Sequence, residues 1–150
     1  MSELDNAPPM PPVPMAFLIC DQVITDEATK KKTLVGVFDH IMVKQFPARH
    51  GPVALYARLF DSEGTHECGV DYIRTDTQEV LGNAKGQINV RSRNKSFEFS
   101  LNLPAIEIPE PGEYEFRLYL DNRMMHRARL TVLELKGDMP YGQTRGGQDA

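Results

Sequence analysis

At 150 residues, 25% charged and 41% hydrophobic, the chain has the proportions of one ordinary globular domain. A formal net charge of −4, from 17 basic and 21 acidic residues, gives no global attraction to nucleic acid or anionic lipid, both of which favour a basic surface. No run of about 18 apolar residues offers a transmembrane helix.

The first fourteen residues, MSELDNAPPMPPVP, hold five prolines, two acids and no Lys or Arg. They read as a flexible Pro-rich tail, with prolines where a secretory signal needs an apolar helical segment, so the expected compartment is the cytoplasm. Residues 15–136 form the expected domain, and the Gly-rich residues 137–150 a second tail. Cys20 and Cys68 each lie in an apolar segment and read as reduced, buried thiols.

Within the domain the apolar period is two. Segments 16–24 (AFLICDQVI) and 33–43 (TLVGVFDHIMV) are apolar on both faces and predict central or covered strands. Val53, Leu55, Ala57 and Leu59 make an alternating row with one face in the core. Segments 66–74 and 79–90 follow, the second with Gly82 and Gly86, which predict a bend or bulge. Phe97, Phe99, Leu101 and Leu103 alternate with polar residues, as do Tyr114, Phe116, Leu118 and Leu120. Segment 128–134 closes the series. About eight strands separated by polar turns predict an all-β antiparallel sandwich.

The last two strands form a hairpin whose register follows from parity. The core rows are even-numbered on both sides, 114–120 and 128–132, so a two-residue turn is excluded. A three-residue loop sets Arg117 opposite Arg129. A five-residue loop over 122–126 avoids that clash and pairs Leu118 with Leu130 and Phe116 with Val132. On this reading Arg123, Met124 and Met125 project from the body as candidate contact residues, Met being adaptable.

Four pieces together, FLICDQVI, LVGVFDHI, QFP and PGEYEFRLYLD, resemble a family of uncharacterised bacterial proteins described only as a domain of unknown function. The resemblance covers roughly residues 16–134. It implies an immunoglobulin-like β-sandwich and no established activity, cofactor or catalytic residue.

Asp21 and Asp39 sit inside the two most apolar segments, with His40 adjacent. Buried carboxylates there are costly unless paired or hydrogen-bonded, so they predict a paired acid site or a metal ligand set with His40, or else acceptance of backbone N–H groups at a bulge or strand end. His66 and Cys68 share a strand face, but a metal site needs two further ligands and no second HxH, CxxC or HxxxH occurs. No DxDxD cluster supports calcium, and no GxSxG, GxGxxG or GxxxxGK[ST] supports nucleophilic or nucleotide chemistry. The basic stretches at 30–32 and 91–95 lack the aromatic interleaving of a nucleic-acid surface. The expectation is a non-enzymatic binding or scaffolding module acting through protein contacts, with self-association one form of it. It needs no cofactor, and nucleic acid and membrane are not expected partners. The alternative is a small-molecule, sugar or metal-binding sandwich with its site at one end. A third reading, an enzyme using Asp21 and Asp39, requires the two carboxylates to share a cavity.

Overall fold

The structure, a computed structural model, describes residues 13–60, 63–91 and 96–136. Twelve strands occur among them: β1 (Val13–Cys20), β2 (Gln22–Thr25), β3 (Lys32–Val35), β4 (His40–Val43), β5 (Ala48–His50), β6 (Val53–Phe60), β7 (Gly64–Arg74), β8 (Val80–Val90), β9 (Phe97–Leu103), β10 (Ile106–Ile108), β11 (Gly112–Leu120) and β12 (Arg123–Glu134). Among the described residues no helix is long and apolar enough to cross a membrane. Of the expected N-terminal tail, Val13 and Pro14 open β1; the rest, and residues 137–150, lie outside the described residues.

A three-stranded sheet, β1-β6-β9, faces a five-stranded sheet, β4-β12-β11-β7-β8. Every pairing is antiparallel except β4 with β12, which is parallel. This is the order of an immunoglobulin-like sandwich, in which a short split of the first strand joins the second sheet alongside the last. A second mark of that fold is at Tyr114, near the start of β11. Its hydroxyl donates to the Glu110 carbonyl at 2.5 Å and accepts the Glu110 N–H at 3.2 Å, pinning the corner that leads into the strand.

The alternating rows make the core. Phe17, Ile19, Val53, Leu55, Ala57 and Leu59 face Val70, Tyr72, Tyr114, Phe116, Leu118, Leu130 and Val132, all buried. Each large apolar side chain so buried stabilises the fold by about 1.5–3 kcal/mol. Tyr72 stacks on Phe116 at 4.8 Å between ring centroids and on Tyr114 at 5.7 Å. The β9 row, Phe97 to Leu103, packs on this core but is only partly buried, because β9 is a sheet edge.

Two expectations are corrected here. The doubly apolar segments are not central strands. Each is broken, at Asp21 and at Gly36–Asp39, and the pieces part company. β1 and β4 become edges of the two large sheets, while β2 and β3 pair as a separate ribbon. Gly36 makes the break possible: its φ is +69°, and a side chain there would run into the Asp21 carboxylate.

The hairpin between β11 and β12 has a two-residue turn, Asp121–Asn122, with φ of 52° and 66°. Two left-handed residues match the twist of the flanking strands, and Asp and Asn tolerate that region. Parity holds in the body, where Tyr114 faces Leu130 and Leu118 faces His126. A bulge then intervenes, and Tyr119 faces Met124. Met125 is the extra residue that reconciles an even register with a two-residue turn. The like-charge pair used against short loops is also present, as Arg117 opposite Arg127. It is tolerated because Glu115 lies between them, 2.6 Å from Arg117 Nε and 3.9 Å from an Arg127 guanidinium nitrogen.

Candidate functional site

The most enclosed apolar feature among the described residues follows from the composition of one strand. β8 reads VLGNAKGQINV. Its pairing sets Gly82 opposite Tyr72, Ala84 opposite Val70 and Gly86 opposite Cys68, so the row Gly82–Ala84–Gly86 shares the inner face with these core residues. Leu81 is the extra residue of a bulge, since Tyr72 pairs with Gly82 and Ile73 with Val80. Three of the smallest residues in succession cannot fill the space between the sheets. A side chain at Gly82 or Gly86 would meet nothing within 4 Å.

The result is a cleft along the open side of the sandwich, between β8 and β9. It consists of two adjoining cavities of about 180 and 210 Å³, which share Val70, Ala84 and Leu101. The first is walled by Leu55, Tyr72, Leu103 and Phe116, the second by Cys68, Ile88 and Phe99. The two polar side chains that β7 contributes to its walls, Tyr72 and Cys68, are uncharged at neutral pH. The Tyr72 hydroxyl donates to the Glu107 carbonyl at 2.8 Å, and burial raises its pKa. Burial pushes the Cys68 thiol up to about 11, so it stays protonated at neutral pH.

Above this cleft both sheets end. β8 is the edge of the five-stranded sheet and β9 of the three-stranded one, so each offers a row of backbone N–H and C=O groups. Natural edges are blunted by proline, lysines, inward charges or shortness. β8 is eleven residues long, contains no proline, carries Lys85 as its one charge, and points glycine and alanine inward.

The sequence-predicted site residues lie elsewhere and do not converge. Asp21 and Asp39 are exposed rather than buried. Asp21 occupies the break after β1, its N–H donating to the carbonyls of Val35 at 2.9 Å and Gly36 at 3.1 Å. The Asp39 carboxylate lies 3.0 Å from His40 Nδ1, with both side chains largely in solvent. Asp39 and His40 line a shallow depression of about 240 Å³ with Arg129 and Thr131, and Asp21 is not part of it. The breaks in the two strands explain the error, because alternation counted through a break assigns the wrong face. Arg123 and Met124 are exposed strand residues, whereas Met125, the bulge residue, packs against the core.

His66 and Cys68 also separate in role. Cys68 is buried in the core, and His66 Nδ1 lies 2.6 Å from Asp121 Oδ2. Asp121 also accepts the Glu67 N–H at 2.9 Å and donates its own N–H to the Glu67 carbonyl at 2.8 Å. The hydrogen bond to His66, then that from Glu67, lowers the Asp121 pKa. This constellation clamps the hairpin turn onto β7. Among the described residues no group of three or more His, Cys, Asp or Glu is placed to hold a metal ion.

The sequence signal for the cleft was present but differently read. Gly82 and Gly86 suggested a bulge, which occurs at Leu81. The period-two spacing Gly-x-Ala-x-Gly on a strand is also the mark of a hollow face.

No curated protein matches the sequence. Among solved structures, an immunoglobulin-like protein from Pseudomonas aeruginosa is similar at 7% sequence identity and a TM-score of 0.38, over 84% of this chain and 99% of that one. A family model described as a family of unknown function (DUF6941) matches residues 15–133, nearly the whole sandwich. The chain therefore belongs to the DUF6941 family.

Proposed function

We propose that this protein is a non-enzymatic interaction module that binds protein through the edge of β8, by adding an extended strand to its five-stranded sheet. The observation that carries this reading is the unguarded edge itself: eleven residues, one charge, no proline, and an apolar cleft beside it left open by Gly82, Ala84 and Gly86. An added strand takes its main-chain hydrogen bonds from β8 and lays alternate side chains over the cleft. The mainly apolar walls of the cleft, Leu55, Val70, Ile88, Phe99, Leu101 and Leu103 among them, argue for this mode over recognition of a sugar or polar metabolite. A cytoplasmic setting fits the two buried, free thiols, Cys20 and Cys68.

The test is an inward charge. Ala84→Lys places an ammonium on the inner row, a device by which natural edges refuse strands. Partners captured by the tagged full chain are expected to be lost in this variant, with thermal stability retained. Partners kept at wild-type yield would move the interaction surface away from β8. The cleft volume favours one second reading, an apolar ligand such as an acyl chain. Native mass spectrometry after incubation with a medium-chain fatty acid tests it.

A further inference from the structure

We infer that the strand received by the β8 edge is β8 of a second copy, paired antiparallel about a two-fold axis through Gly86. This rests on the edge reading above and names the partner. The argument is the self-complementarity of one register. The inner row of β8 runs Gly82, Ala84, Gly86, Ile88, Val90, small in its first three positions and large in its last two. An antiparallel copy centred on Gly86 sets Gly82 opposite Val90 of the other chain, Ala84 opposite Ile88, and Gly86 opposite itself. Gly82 and Ala84 then each meet a large side chain, Val90 and Ile88 each a gap, and only the Gly86 pair on the axis sets small against small. On the outer row the same register sets Lys85 opposite Gln87 and Asn83 opposite Asn89, so no like charges meet.

Neighbouring registers lose one feature or the other. Centring on Lys85 brings the two lysines face to face and sets Ala84 opposite Gly86, leaving the hollow unfilled at both of those positions. Centring on Gln87 limits the ladder to residues 84–90 and leaves Gly82 uncovered. A slip by one residue puts the inner row of one copy against the outer row of the other. The Gly86-centred ladder runs from 82 to 90, stops short of the Leu81 bulge, and forms roughly eight to ten backbone hydrogen bonds. Its axis is perpendicular to the sheet, so both inner faces lie on one side. The two open clefts then face each other across the axis, with Phe99, Leu101 and Leu103 of each β9 lining the shared compartment.

The test uses the full chain in sedimentation equilibrium across a concentration series. The expected species is a dimer, twice the 16.9 kDa chain mass. Gln87→Lys places a lysine opposite Lys85 at two symmetric points, and Gln87→Glu places a carboxylate there. The dimer dissociation constant is expected to rise about 2- to 30-fold in the first and to fall in the second. Under oxidation in a Cys68→Ala background, which removes the thiol opposite residue 86 in the same chain, Gly86→Cys is expected to give a covalent dimer across the axis and Ala84→Cys none, since residue 84 faces Ile88. A monomer at all concentrations, a same-direction response of the two Gln87 variants, or cross-linking at 84 rather than 86 would overturn the self-pairing. Ala84→Lys separates this from the edge reading. A monomeric wild type that loses other protein partners in that variant retains the edge and discards the second copy. A dimer untouched by Ala84→Lys discards both.

Discussion

Asp121 shows how one residue carries the end of a hairpin. It adopts a left-handed φ of 52°, its carboxylate accepts from the Glu67 N–H, and it pairs with His66. Its folded pKa is depressed below the ordinary 3.8, first by the His66 hydrogen bond. A depressed carboxylate contributes stability that is present above the unfolded pKa and lost as pH falls through the folded one. Asp121→Asn tolerates the same backbone region but removes the titration. The melting temperature of the wild type is therefore expected to fall more steeply than that of the variant below about pH 4; parallel profiles would show the pair to be energetically silent. Glu115, 2% exposed, is a buried carboxylate held by an ion pair with Arg117. Arg117→Met leaves its buried carboxylate without its 2.6 Å partner and is expected to cost about 2–3 kcal/mol. Adding Glu115→Leu should recover most of that in urea unfolding. The methionines differ in the same terms. Met124→Ala, at an exposed position, is expected to change stability by less than about 0.5 kcal/mol. Met125→Ala removes a side chain packed on the core and is expected to cost about 1–2 kcal/mol.

Whether an element was legible in the sequence depended on whether its local pattern and its tertiary role agree. The rows Val53–Leu59, Phe97–Leu103, Tyr114–Leu120 and Ala128–Val132 recur at every second residue, and the structure packs them on the core. β1 to β4 did not read correctly, because AFLICDQVI and TLVGVFDHIMV mark their breaks only with the pairs Asp21–Gln22 and Asp39–His40 and the single Gly36, with no proline. What breaks them is a contact between Gly36 and Asp21, fifteen residues apart, which no local window contains. The β11–β12 hairpin failed in a more instructive way. Parity among Tyr114, Phe116, Leu118, Leu130 and Val132 is correct, yet the turn drawn from it is wrong, since one bulged residue changes parity without disturbing the core. The cleft was hidden for the opposite reason. Hydrophobic patterning registers the side chains that fill a core, and Gly82, Ala84 and Gly86 make their mark by leaving one empty. At this scale Tyr114→Phe is expected to cost about 1 kcal/mol, the hydroxyl bonds to Glu110 being the anchor of the corner.

For the whole molecule, the two sides of the sandwich differ. On one, β1 approaches β12: Phe17 lies against His126 at 6.2 Å, and β4 extends the sheet beside β12. On the other, β8 and β9 end their sheets above an apolar cleft, and among the described residues no strand crosses it. The asymmetry originates in β8, where small inner residues and a nearly uncharged edge occur in one strand, and the proposed association uses that side. The most direct measurement is hydrogen–deuterium exchange of residues 80–90 in the full chain at low and high protein concentration. The account requires the outward-facing β8 amides to exchange fast when dilute and to become protected when concentrated, and Ala84→Lys to abolish that protection. Exchange in 80–90 that is independent of concentration, with protection arising in another segment, would contradict it.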